Sequence, residues 1–235
     1  MFGFHAVPSK IENEDILITV EKKGDNLIYK REFSGETIEK ILLTKSNKIH
    51  VNPIEPLHKP RELTPYLLIK PENPIVIEPK VKRIIYLKFP IEIGIFISGL
   101  EEFKVLDILT LVKQKFTLYG EVRGGIICKF WESEVYDSVP SINPHKEGVI
   151  ELTINNTTGR WHEITQPVFN AYGMKIYYGN KTVSMRATMK IYTGGIGETE
   201  FFDSPIYKGM SKSLELYTAR KIPVVSTKFI MEWGL

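Results

Sequence analysis

Cysteine is almost missing from this chain, which has one, Cys128, among its 235 residues. A single cysteine excludes an internal disulfide and leaves no cysteine pair for a structural zinc site. The five histidines offer no substitute, because no two of them lie three to five residues apart. The sequence therefore predicts a fold that is held by packing alone, with no metal and no cofactor.

Long apolar runs are also missing. The most apolar segment, residues 84–98, is interrupted by Lys88, Pro90 and Glu92, so no membrane span is predicted. The first ten residues, MFGFHAVPSK, carry a histidine and a proline where a signal peptide would have basic residues and then an apolar run. We expect a cytoplasmic protein without a signal peptide.

Neither sign of charge dominates, since 31 Lys and Arg residues against 28 Asp and Glu residues give a net charge of +3. A nucleic acid or an anionic membrane needs basic residues clustered on one face, and so small an excess predicts neither partner. Glutamine occurs only at Gln114 and Gln166, whereas isoleucine, lysine and glutamate are abundant. That balance is typical of a thermophilic source.

The patterns that are present belong to strands. Residues 16–33 alternate in polarity on both sides of a Lys-Gly-Asp-Asn turn at 23–26, which predicts a hairpin. Residues 37–44 predict a short strand, since as a helix they would be too short to be stable alone. Residues 66–112 contain short apolar runs separated by prolines and by Gly99 at a spacing of about 8–12 residues, which is typical of a sandwich or barrel.

The C-terminal half repeats this pattern. Residues 172–178 and 182–192 predict a second hairpin, with its turn at Gly179 and Asn180, and residues 224–233 predict a last strand. The expected fold is all-β, built from antiparallel β-sandwich units of an immunoglobulin-like or jelly-roll-like kind, with little helix.

Prolines recur between residues 52 and 65. Proline fixes φ and cannot donate a backbone hydrogen bond, so this segment predicts an extended connection that crosses the surface of a sheet. A proline-rich ligand for a partner domain is the functional alternative, but no repeat or flanking motif supports it.

Two β regions are expected. Residues 1–137 form an N-terminal sandwich-like region and residues 138–235 a C-terminal sandwich region, with the boundary in the loop at 138–148. Because no flexible polar linker separates them, we expect the two regions to pack tightly as one unit.

The stretch from Phe116 to Tyr136 concentrates the unusual residues of the chain. Its second half alternates as a strand does, and Gly124 and Gly125 precede that strand where the backbone must turn. Cys128 lies between Ile126 and Phe130 in the same row, and such a position is typical of a small buried hydrophobe rather than of a nucleophile.

Six residues of this stretch are candidates for a ligand site. Two carboxylates on one strand face can act as acid and base or can bind a cation, an arginine beside glycines can grip an anion, and aromatic side chains can stack on a ligand. Each residue type also has an ordinary structural use, as a solvated charge or a core filler, so a binding site and a plain strand remain alternatives. The candidates are Tyr119, Arg123, Trp131, Glu132, Glu134 and Tyr136.

Four segments together resemble a known family. LKFPIEIGIF at 87–96, FTLYG followed by GGIICKFWESEVY at 116–136, GMKIYY at 173–178 and the closing FIMEWGL are similar to the domain of unknown function 432 family. The resemblance implies an archaeal cytoplasmic protein with no assigned activity, and it transfers no catalytic residue to this chain.

Two hypotheses about function remain. The first is a non-catalytic binding or assembly module, with a homo-oligomer formed through a sheet edge or an apolar patch as the expected association. The second is a hydrolase-like small-molecule enzyme with its site around residues 119–136. The sequence identifies no physiological partner, substrate or catalytic residue.

Overall fold

Strands make up most of the structure, a computed structural model that describes residues 1–99, 102–179, 181–220 and 226–235. The strands of the first half are β1 (Gly3–Ala6), β2 (Ser9–Glu12), β3 (Ile16–Lys23), β4 (Asn26–Phe33), β5 (Glu36–Leu42), β6 (Lys48–Ile54), β7 (Tyr66–Pro71), β8 (Ile75–Ile77), β9 (Lys82–Pro90), β10 (Glu92–Ser98), β11 (Phe103–Leu109) and β12 (Lys115–Tyr119).

The second half continues in the same way. Its strands are β13 (Ile126–Ser133), β14 (Glu147–Asn156), β15 (His162–Ile164), β16 (Val168–Asn170), β17 (Tyr177–Tyr178), β18 (Val183–Tyr192), β19 (Ile196–Phe202), β20 (Ser211–Lys212) and β21 (Phe229–Met231). A 3₁₀ turn at Ala171–Gly173 and the one-turn helix α1 (Leu216–Ala219) complete the elements of the described residues. The prediction of an all-β fold with little helix is confirmed.

The N-terminal sheet has the order β2-β3-β4-β5 and consists of antiparallel hairpins. The predicted turn between β3 and β4 is present, and Gly24 has the positive φ of 63° that this two-residue loop requires. The buried side chains of Arg31 and Asp107 (Nε to Oδ2, 2.6 Å) join this sheet to β11, and the Tyr29 hydroxyl donates to the same carboxylate. Residues 36–42 form a strand, as predicted.

Two other sheets are mixed. In the sheet β12-β13-β7-β16, strand β7 is parallel to β13 and antiparallel to β16. In the largest sheet, β20-β17-β18-β14-β9, strand β14 is parallel to β18 and antiparallel to β9, and β19 joins β18 to β21. Both sheets therefore combine strands from residues 1–137 and residues 138–235, while a domain boundary at 138–148 stays a prediction.

The proline-rich segment differs from its prediction in its first half. Strand β6 lies between β1 and β10, so successive residues from Ile49 to Ile54 are buried on both faces of the sheet. The chain then remains buried through His58 before it reaches the surface at Pro60. An extended connection is present. Its first residues form a central strand within a sheet, whereas the prediction had them cross the surface of a sheet.

The second predicted hairpin is shorter than expected. Its strand β18 buries Val183, Met185, Ala187, Met189 and Ile191 in one row, as the alternation predicts. Its partner strand contains only Tyr177 and Tyr178, because the chain forms the 3₁₀ turn just before. Asn180 in the predicted turn, and residues 224 and 225 of the predicted last strand, lie outside the described residues.

A large hydrophobic core connects the sheets, with side chains from β3, β6, β7, β10, β14 and β18 among its members, and a smaller cluster contains Ile54, Phe96, Ile108 and Leu216. Within the described ranges, no helix has the length and apolar character that a membrane crossing requires.

Candidate functional site

Tyr119 and Arg123 lie together, at a cleft of about 300 Å³ that Gly124, Gly125 and Trp233 also line. The Tyr119 hydroxyl donates to the Trp233 carbonyl (2.9 Å) and accepts from the Trp233 backbone N–H (2.9 Å). Burial raises the pKa of Tyr119. This tyrosine therefore anchors the segment that carries Trp233. Arg123 is a cationic side chain at the cleft, which Glu121 and Glu232 also line.

Trp131, Glu132, Glu134 and Tyr136 lie elsewhere. Trp131 packs against the core, and its buried indole N–H has no hydrogen-bond partner among the described residues. Glu132 lies on an exposed face, 54% accessible, with the Lys115 ammonium 4.0 Å away. The structure thus brings together two of the six predicted site residues at the cleft.

Glu134 and Tyr136 form a separate pair beyond the end of β13. The Lys88 ammonium lies 5.7 Å from the centre of the Tyr136 ring, and burial is the main cause that raises the pKa of this tyrosine. The backbone of Tyr136 exchanges two hydrogen bonds with Tyr86 on β9 (2.8 and 3.0 Å). This pairing fixes the chain after β13 against the largest sheet.

Cys128 is fully buried, and burial raises the pKa of its thiol to about 12. A thiol in this state is neutral at ordinary pH and is a poor nucleophile. The interpretation of Cys128 as a small buried hydrophobe agrees with this placement.

The outward face of β12 and β13 carries exposed apolar side chains. Phe116, Leu118 and Ile127 are 36%, 39% and 56% accessible, and Leu118 pairs directly with Ile127 across the two strands. We call these three residues the outer patch. Strand β12 is the edge of its sheet in the described residues.

On the same face, beside the outer patch, lies a buried ion pair, because Lys129 pairs with Phe116 across β13 and β12. The Lys129 ammonium is 2.9 Å from Glu92 Oε1, and the two side chains are 2% and 0% accessible. Glu92 also accepts the backbone N–H groups of His58 (2.9 Å) and Lys59 (2.9 Å), while Lys129 donates to the Lys59 carbonyl (2.8 Å). The pair therefore fixes the backbone on both sides of the His58–Lys59 peptide bond.

Burial lowers the pKa of Lys129, and the Glu92 carboxylate acts against that shift. The Glu92 carboxylate accepts hydrogen bonds from the Lys129 ammonium and from two backbone N–H groups. Because all three donors favour a charged carboxylate, we assign the pair as ionised.

The backbone held by this pair positions a polar cluster at the surface. His58 lies between two carboxylates: its Nε2 is 3.6 Å from Glu55 Oε1 and its Nδ1 is 3.6 Å from Glu62 Oε2. Arg220 Nη1 approaches the same Nδ1 at 3.4 Å, and the Tyr172 hydroxyl donates to Glu62. We call these five residues the His58 cluster.

The inner end of the His58 cluster is incompletely hydrogen-bonded. Glu55 Oε1 and His58 Nε2 are buried and have no hydrogen-bond partner within the described part of the chain. Tyr172 at the outer end has its pKa raised to about 12, by burial first and then by its hydrogen bond to Glu62. Buried polar atoms are rarely left without a partner, so this cluster is the second candidate site.

Comparison with known proteins identifies the family. A model of the family described as "Protein of unknown function (DUF432)" matches residues 1–232. The chain belongs to the DUF432 family. The resemblance seen in the four sequence segments is confirmed, and an archaeal source stays a prediction. No curated protein and no solved structure matches the chain.

Sequence reasoning missed the His58 cluster in this DUF432 protein. Glu55, His58 and Glu62 stand three and four residues apart, but they lie inside the proline-rich segment that predicted a plain connection. Arg220 and Tyr172 come from far along the chain, and no local pattern marks them. The available signal was the group of five ionisable residues among the prolines, namely Glu55, His58, Lys59, Arg61 and Glu62.

Proposed function

We propose that this protein is a cytoplasmic, non-catalytic assembly module that forms a dimer by pairing β12 with β12 of a second copy. The observation that supports it is the outer patch on an edge strand. An edge strand offers unpaired backbone groups, and apolar side chains beside it favour association over solvation.

The register of such a dimer follows from strand geometry. Two antiparallel strands related by a two-fold axis perpendicular to the sheet keep the same face outward, so residue numbers in each pair add to an even sum. Centred on Thr117, this pairing places Phe116 opposite Leu118 of the second copy, twice over. Aromatic–aliphatic pairs of this kind are among the cross-strand contacts that stabilise sheets.

The interior polar groups also favour an assembly role. The ion pairs Glu92–Lys129 and Arg31–Asp107 are buried and bonded within the chain, and the Cys128 thiol is buried. Because these buried groups are bonded within the chain, we expect a partner to contact exposed residues such as those of the outer patch.

The test compares two lysine substitutions by sedimentation velocity over a range of concentrations. Leu118→Lys places a charge in the dimer interface and is expected to convert dimer to monomer. Val76→Lys changes a more exposed apolar residue, 60% accessible, on β8 and should leave the dimer intact. A wild-type protein that is monomeric at every concentration rules the proposal out.

The register has its own test. Under oxidation, a mixture of Phe116→Cys and Leu118→Cys should give a disulfide-linked heterodimer in higher yield than either variant alone. Equal yields in the three samples contradict pairing centred on Thr117.

A small-molecule enzyme is the second candidate, because Tyr119 and Arg123 do share a cleft. In this case Arg123 would bind an anionic substrate beside the backbone of Gly124 and Gly125. Hydrolysis of ester and phosphoester test substrates should then be lost in Arg123→Gln and kept in Arg61→Gln, an exposed arginine elsewhere. No turnover by the wild-type protein counts against this alternative.

A further inference from the structure

The carboxylate of Glu62 lies among groups that bind carboxylates. The Tyr172 hydroxyl donates to its Oε1, while His58 Nδ1 and Arg220 Nη1 lie 3.6 Å and 4.0 Å from its Oε2. An arginine, a tyrosine hydroxyl and a histidine around one carboxylate form a common arrangement for recognising that group in a ligand.

The groups around Glu62 come from three different parts of the fold. His58 is held through its backbone by the Glu92–Lys129 pair. The Tyr172 ring packs edge-on against Tyr217 of α1 at 5.9 Å, and Arg220 follows α1, with its backbone N–H bonded to the Leu216 carbonyl (2.9 Å). The arrangement is therefore built by tertiary structure, from residues far apart in the chain.

Glu62 itself is held differently. It belongs to the exposed run of residues 60–63 that follows the buried part of the proline-rich segment. The Glu62 side chain is 28% accessible, whereas that of His58 is 2% accessible. A side chain on an exposed loop can leave a site at a much smaller cost than a buried one.

A second observation concerns the opposite side of the His58 ring. His58 Nε2 and Glu55 Oε1 lack hydrogen-bond partners in the described ranges, although both side chains are more than nine-tenths buried. A neutral imidazole can accept from Arg220 at its Nδ1. His58 Nδ1 therefore faces the position beside Arg220 that the Glu62 carboxylate occupies.

We propose that Arg220, Tyr172 and His58 form a binding site for the carboxylate group of a small-molecule ligand, and that Glu62 occupies this site until a ligand displaces it. The charge balance is kept on exchange, because one carboxylate replaces another beside Arg220. The site shares no residue with the outer patch, and the proposal does not rest on the proposed dimer.

The main experiment measures binding of acetate, succinate and inorganic phosphate by isothermal titration calorimetry, at constant ionic strength. Glu62→Gln removes the competing charge and should bind succinate about tenfold more tightly than wild type, because the site is no longer occupied by its own chain. Glu72→Gln, which changes an exposed glutamate in the loop after β7, is the matched control and should bind succinate as wild type does.

Two further variants identify the binding groups in the Glu62→Gln background. Arg220→Gln and Tyr172→Phe should each weaken succinate binding, and Arg61→Gln, which removes an exposed arginine next to Glu62, should not. Melting temperatures confirm that each variant is folded. The proposal is overturned if Glu62→Gln binds no better than wild type, if Arg61→Gln has the same effect as Arg220→Gln, or if phosphate binds more tightly than both carboxylates.

Discussion

The Glu92–Lys129 pair and the His58 cluster are neighbours in the structure but differ in how completely they are bonded. In the pair, the Lys129 ammonium and the Glu92 carboxylate contact each other and also bond to the backbone of residues 58 and 59. In the His58 cluster, contacts of 3.4 to 4.0 Å replace several direct hydrogen bonds.

This difference in bonding suits the buried pair to stabilising the fold and the His58 cluster to binding a ligand. Charges that are buried and fully bonded are costly to disturb, so they serve as fixed supports. Charges that are loosely bonded at the surface can exchange one partner for another with little loss. The fixed pair therefore holds the segment in place, and the loose cluster beside it is free to take a ligand.

Breaking the fixed pair is expected to have the largest effect. Lys129→Met leaves the Glu92 charge buried without a cation, which should reduce the free energy of unfolding by about 3–5 kcal/mol. Urea denaturation measures this loss. Glu92→Gln in the Lys129→Met background should recover part of this loss, because the amide carries no charge. If Lys129→Met loses no more stability than the exposed substitution Lys82→Met, the buried pair is not a support of the fold.

His50 extends the comparison to a buried group with one partner. It is 3% accessible, its Nε2 lies 3.0 Å from the Tyr178 hydroxyl, and its ring stacks on Phe4 at 4.1 Å. Burial, and then the charge of His5, lower the pKa of His50 from 6.5 to about 4. Such a shift indicates that the folded state favours the neutral ring.

The sign of the pH effect follows from this shift. Between pH 6.5 and pH 4 the unfolded chain binds a proton at His50 that the folded protein does not. Stability should therefore fall as pH decreases through this range, by about 3 kcal/mol from this residue. Urea denaturation at pH 7 and pH 4 measures the loss, and His50→Gln should lose less on acidification. Equal losses in both proteins exclude His50 as the cause.

Changes in the loose cluster should have the smallest effect on stability. Arg220→Gln and Glu62→Gln alter partly exposed charges, so each should change the free energy of unfolding by less than about 1 kcal/mol. The same denaturation measurement checks this expectation. A loss comparable with that of Lys129→Met would show that the cluster is as important to the fold as the buried pair.

Local sequence patterns predicted the elements whose geometry is set locally. The hairpin at residues 16–33 follows from alternation and from Gly24 at its turn, and strand β13 follows from the alternation around Cys128. The buried row of β18 follows from the same period. In each case neighbours in the chain determine which side chain faces the core.

The His58 cluster depends on contacts that local patterns do not contain. Alternation correctly places Lys129 and Cys128 on opposite faces of β13. It does not predict that both of these faces are buried at this point. Glu92 reads as the polar position of an alternating strand, yet it is fully buried because the segment at residues 58–59 lies over it. The parallel strand pairs β7–β13 and β14–β18 likewise join segments that are far apart in the chain, and neither sequence contains a pattern that identifies its partner.

Strand β7 has a consequence for how the chain is made. Leu67 pairs with Lys129 on one side and with Phe169 on the other, so both neighbours of this strand are synthesised long after it. At a translation rate of roughly 5–20 residues per second, the last of them emerges from the ribosome on the order of 5–20 seconds later. During that interval an apolar strand with two open edges is exposed to other nascent chains, so chaperone protection of β7 would reduce aggregation.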